Sequence, residues 1–152
     1  MDWQNYDMFD FKLGGLIIGS QNLELSSLTI DSDGAIIGKL LNEKGMKFEY
    51  TYDYGDSWIH EIVVKEIYPK NRGDISLTCI SGERSCPPED CGGLPGYYRN
   101  LEIIGNTKHP EYRETREWMQ KDFDPSAFNV GQVNRQLSTL ASYIRKWERN
   151  NN

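Results

Sequence analysis

The chain has 152 residues, 38% hydrophobic and 12% aromatic, enough for one packed core and too apolar for a disordered polymer. Its 17 basic and 23 acidic residues leave a net charge of −6, which disfavours direct nucleic-acid binding. No run of about eighteen apolar residues and no basic-then-apolar leader occurs, which argues against a membrane helix and an export signal. The expectation is one cytoplasmic domain over residues 1–152.

In chain order, Asp7 to Leu13 reads as a short strand, Gly14-Gly15 as a turn and Leu16 to Ile18 as a second strand. Asp31, Ser32 and Asp33 offer capping side chains before a short helix over 35–41, with apolar residues at 36, 37, 40 and 41 and an end near Gly45. Lys47 to Tyr52 alternates polar and aromatic residues, the period of a half-buried strand. Tyr54 to Ser57 is turn chemistry, and Trp58 to Ile67 is the return strand, with Trp58, His60, Ile62 and Val64 on one face. Leu77 to Ile80 predicts a further strand.

Residues 82–96 form an aperiodic loop with Pro87, Pro88 and Pro95. A loop of this length in a compact chain is usually functional or held in place by something. Helices are expected over 97–104 and 111–120. The longest runs over 130–149, with Val130, Val133, Leu137, Leu140, Ile144 and Trp147 at helical steps. Residues 150–152 read as a frayed tail. Strands precede helices, which predicts an α+β fold: a mainly antiparallel sheet in the N-terminal half with C-terminal helices packed on one face.

Three cysteines cannot all pair within one chain, and in a reducing compartment lasting disulfides are rare. Cys79, Cys86 and Cys91 fall in one stretch. They could supply three ligands to zinc, with His60 from the hairpin as the fourth. The spacing C-x6-C-x4-C is not a paired-knuckle pattern. Reduced, partly buried thiols are the simpler alternative. A Cys86–Cys91 redox pair lacks the C-x-x-C spacing.

His60 and Asp56 are the candidates for catalysis: a histidine titrates near neutrality, and Asp56 in the turn could orient it. A lone strand histidine beside Trp58 and Ile62 is more often a core residue. Asp53, Asp56, Glu89 and Asp90 are oxygen donors, but no calcium-loop pattern contains them. Tyr50, Tyr52, Tyr54 and Trp58 could stack bases, yet their acidic surroundings favour the core face of a sheet. The glycine pairs fit no phosphate loop, and no serine sits in a nucleophile elbow.

Three stretches, taken together, resemble a known family. Tyr50 to Ile62 reads Y-x-Y-D-[FY]-G-D-x-W-x-H-x-I. Cys79 to Gly93 reads C-x-x-G-x-x-x-C-P-P-E-D-C-G-G. Asp122 to Phe128 reads D-F-D-P-x-x-F, followed by Val133-Asn134. Their order and spacing resemble the plasmid pRiA4b ORF-3-like family, some members of which carry the label of insertion-element passenger proteins of a TnpR type. The resemblance implies an α+β fold and no firmly attached activity, and no recombinase motif is present here. Asp7 stands where the family commonly has His. The chain starts inside the family pattern, without its N-terminal strand and helix. That predicts an exposed sheet edge, which a homodimer or another protein partner could cover.

The expected function is a non-catalytic binding or interaction module with a rigid Cys/Pro-rich loop. The alternatives are a metal-dependent, possibly hydrolytic enzyme using His60 and the Cys loop, and an accessory protein of a mobile DNA element acting through a protein partner.

Overall fold

The computed structural model describes residues 3, 6–19, 29–69 and 76–150. Its strands are β1 (Phe9–Leu13), β2 (Leu16–Gly19), β3 (Thr29–Asp31), β4 (Lys47–Tyr52) and β5 (Trp58–Val63). Its helices are α1 (Ile37–Leu40), α2 (Gly93–Gly105), α3 (Tyr112–Trp118) and α4 (Val130–Asn150). The strands form one sheet in the order β3-β2-β1-β4-β5. All neighbours run antiparallel except β2 and β3, which are parallel. The fold is therefore α+β, with the sheet in the N-terminal half and α2 to α4 in the C-terminal half.

The chain divides into two compact units. The first is Met1–Tyr68 with Pro88–Met119; the second is Pro69–Pro87 with Gln120–Asn152. The sheet, α1, α2 and α3 belong to the first, and α4 to the second.

Local chemistry explains the hairpins. Gly14 and Gly15 both have positive φ (54° and 89°), and Leu13 pairs with Leu16. This two-residue turn needs left-handed backbone at both central positions, which glycine adopts without a Cβ penalty. The β4–β5 turn spans 53–57. Its first residue, Asp53, has φ 55° and accepts the Gly55 amide at 2.8 Å through Oδ1.

Strand alternation gathers the rings on one sheet face. Phe9 lies opposite Tyr52, Phe11 opposite Tyr50, and Tyr50 opposite His60. Ring centroids are 4.8 Å apart for Phe11 and Tyr50 and 5.5 Å for Tyr50 and His60. Tyr52, Trp58, Phe48 and Ile18 are buried in this unit, as are Tyr97, Ile103 and Met119 from the helical part.

Four elements depart from the sequence reading. The helix expected over 35–41 is a single turn, α1, preceded by a separate 3-10 turn at Ser32–Gly34. The Asp31 carboxylate caps that 3-10 turn, accepting from the Asp33 amide at 3.0 Å. The strand expected to reach Ile67 ends at Val63. Gly93 already opens α2, four residues ahead of the expected start. Finally, Leu77 to Ile80 is not a strand. The Cys79 amide donates to Asn134 Oδ1 at 2.7 Å, and Asn134 Nδ2 donates to the Cys79 carbonyl at 3.0 Å. One side-chain amide thus satisfies the backbone groups that a neighbouring strand would have paired.

The α4 stripe also differs. Ala141 is buried and Val133, Leu137 and Ile144 are half-buried, whereas Val130 and Leu140 are exposed. The expected contribution of Trp147, like the tail at 151–152, lies outside the described residues. Among the described residues no helix is long and apolar enough to cross a membrane.

Candidate functional site

The hairpin turn and the second half of the Cys loop form one assembly in the first unit. Gly92 has φ 82° and Gly93 φ 62°, both left-handed. The Gly92 amide donates to Asp56 Oδ2 at 3.1 Å. A Cβ on Gly93 would run into the Asp56 carbonyl oxygen, and one on Gly96 into the Cys91 carbonyl oxygen. Glycine is required here because backbone meets backbone. The Tyr52 hydroxyl reaches Glu89 Oε1 at 2.8 Å and Asp7 Oδ2 at 3.4 Å. Burial pushes the Tyr52 hydroxyl up to about 12, and the hydrogen bond to Glu89 adds to this. Tyr54 is likewise pushed up to about 12, by burial and by its 2.8 Å hydrogen bond to Asp10.

Cys91 is buried at the centre of this assembly. Burial first, and the Asp56 carboxylate second, push its thiol up to about 11. A thiol held so high stays protonated near neutral pH, so Cys91 is a poor nucleophile and a poor ready-made metal ligand. Five carboxylates, Asp7, Asp53, Asp56, Glu89 and Asp90, gather around the turn. Asp7 is held above the usual carboxylate range, first by loss of solvent and then by the Asp53 charge, with smaller pushes from Asp90 and Glu89; the Tyr52 hydroxyl pulls the other way.

The first half of the Cys loop is held differently, in the second unit. Ser85 donates through its hydroxyl to the carbonyls of Asp124, at 2.6 Å, and Ala127, at 3.1 Å. Its amide donates to the Pro125 carbonyl at 3.2 Å. Gly82 faces the Phe128 ring, where any Cβ would overlap the ring atoms. Asn134 brackets Cys79 as described. The D-F-D-P-x-x-F and V-N residues therefore serve as the bracket for the loop.

The residues singled out for chemistry are distributed over both units. Cys79 and Cys86 belong to the second unit, Cys91, His60 and Asp56 to the first. None of the three cysteines is in a disulfide. Among the described residues, no group of three or more His, Cys, Asp or Glu side chains is arranged to hold a metal ion. His60 and Asp56 each take a different partner. His60 Nδ1 lies 3.1 Å from the Tyr50 carbonyl oxygen, which can only accept, so Nδ1 carries the proton. Its ring sits edge-on to Trp3, with centroids 5.7 Å apart. Trp3 also stacks on Tyr52 at 4.9 Å.

One feature was not anticipated from the sequence. A pocket of about 230 Å³ lies between the aromatic sheet face and α1. Phe11, Ile18 and Phe48 form its sheet side, and Ile37, Leu40 and Leu41 its α1 side. Each lining residue reads in the sequence as ordinary core.

The plasmid pRiA4b ORF-3-like protein family matches residues 1–132. The chain belongs to this family. It is 31% identical over 151 residues to the uncharacterized protein y4hQ of Sinorhizobium fredii (strain NBRC 101917 / NGR234), spanning 98% of this chain and 76% of that one. It is also similar to a solved structure, the protein of unknown function MM3350 from Methanosarcina mazei Go1. The TM-score is 0.71 and the identity 31%, over 87% of this chain and 75% of that one. Neither relative carries a named activity.

Proposed function

We propose that this pRiA4b ORF-3-like protein is a non-catalytic binding module, working in the cytoplasm, where its free thiols stay reduced. The observation that carries this reading is the fate of the signature side chains. Asp56 accepts the Gly92 amide, Tyr52 donates to Glu89, and Cys91 is buried as a thiol. These groups hold the loop against the turn. Among the described residues each of these groups is engaged within the protein, whereas a catalytic site presents a base and an oxyanion donor to the substrate.

The competing reading is a metal-dependent hydrolase built on His60, Cys79, Cys86 and Cys91. The purified protein is assayed against p-nitrophenyl acetate and p-nitrophenyl phosphate, with and without zinc, beside elemental analysis. The expected result is no turnover above buffer and no stoichiometric zinc. Turnover that falls in both His60→Ala and Asp56→Asn overturns the binding reading. So does zinc at one per chain that is lost in Cys86→Ser.

A further inference from the structure

We propose that the pocket between the sheet and α1 is the ligand site of this binding module, and that it takes a small, uncharged, apolar molecule of about one aromatic ring with a short aliphatic tail. The proposal rests on the binding reading above and gives it a ligand class. Three observations carry it.

The first is the lining. Of the nine residues that line the pocket among those described, eight are apolar, and Ser32 supplies the one polar side chain. Among the described residues none that lines it is charged, so a carboxylate or ammonium entering would lose hydration that these residues do not replace. An apolar lining of this kind accepts apolar guests.

The second is size. At about 230 Å³ the space exceeds what close packing leaves in a core, and it lies below the range of drug-sized sites. It suits a single-ring compound. A peptide helix or strand would need a groove that accepts several residues in series.

The third is the mouth. Ile37 lines the pocket yet is 65% exposed, and its neighbour Ile36 is 56% exposed. Both belong to the one-turn segment at α1, whose N-terminal residue makes no side-chain capping hydrogen bond. An apolar guest reaching the mouth would remove Ile37 from water and add packing to this single turn.

The test uses the full chain with ¹³C-labelled isoleucine and leucine methyls, titrated with n-butylbenzene and, separately, with 4-butylbenzoate. The expected result is saturable shifts of the Ile37, Leu40 and Leu41 methyls with n-butylbenzene, and binding of the carboxylate at least about tenfold weaker. Ala35→Trp, which fills the pocket from its rim, should abolish the shifts. Ile37→Glu places a charge at the exposed mouth, where folding is least disturbed, and should weaken binding about tenfold. No saturable shift up to the solubility limit overturns the proposal, as does equal binding of the two probes or binding that survives Ile37→Glu. These failures leave the binding module itself standing. Hydrolytic turnover in the assay above would instead remove the reading on which the proposal rests.

Discussion

The two halves of the Cys loop are held by opposite means. Residues 79–87 are held mainly by side-chain hydrogen bonds: the Asn134 amide on the Cys79 backbone, and the Ser85 hydroxyl on the carbonyls of Asp124 and Ala127. Residues 88–93 are gripped by backbone fit, with two left-handed glycines set against the Asp56 carbonyl and carboxylate. The difference teaches where substitution should hurt. A side-chain bracket loses one or two hydrogen bonds when cut. A backbone fit has no slack, because any Cβ meets atoms that cannot rotate away.

The largest effect should therefore come from Gly93→Ala. It combines a left-handed backbone with overlap on the Asp56 carbonyl, and should destabilise the first unit by about 2–4 kcal/mol in urea titration. Hydrogen exchange should rise across 88–96 and the 53–57 turn while 79–85 keeps its protection. Wild-type protection throughout would break the comparison from that side.

Asn134→Ala should come next, at about 1–3 kcal/mol, because two backbone groups of Cys79 lose their partner. Its exchange signature should be the mirror image, with residues 77–85 loosened and 88–93 unchanged. Asn134→Asp keeps the acceptor for the Cys79 amide but sets a carboxylate against the Cys79 carbonyl, so it should not rescue. If both variants loosen the whole loop alike, the two halves are one cooperative element and the distinction fails.

Ser85→Ala removes a single hydroxyl and should cost about 1 kcal/mol. Limited proteolysis near residue 85 is a sufficient readout.

The smallest effect is a pH dependence confined to the second half. The Cys91 thiol is raised from 9.0 to about 11 in the folded state. Between those values the unfolded chain has lost the proton that the folded chain keeps, so stability is full below pH 9 and declines as pH rises toward 11. Cys91→Ala should flatten that part of the profile. Tyr52 and Tyr54, both raised to about 12, contribute further loss above pH 10, which the variant should retain. A profile identical to wild type would show that Cys91 is not in the water-poor site described.

Much of the fold could be read from local pattern. The β1–β2 and β4–β5 hairpins follow from alternation and from turn residues whose φ preferences are intrinsic. The α4 helix follows from its period, although the pattern could not show that Leu140 faces outward and Ala141 inward. The cluster of three cysteines and the motif spacing marked the loop as important, and the tertiary structure adds the hydrogen bonds that hold it. Spacing records which residues occur together; it does not tell whether a carboxylate binds a metal or an amide.

What the sequence determined by itself was the α+β class, the family and the strands and helices with strong periods, because those depend on neighbours a few residues away. What only the tertiary structure decided was the role of each signature side chain. Asp56 meets Gly92 across 36 positions, and Asn134 meets Cys79 across 55. Such contacts are set by how the chain closes on itself. The same is true of the apolar pocket, whose lining brings together residues of β1, β2, β4 and the α1 segment.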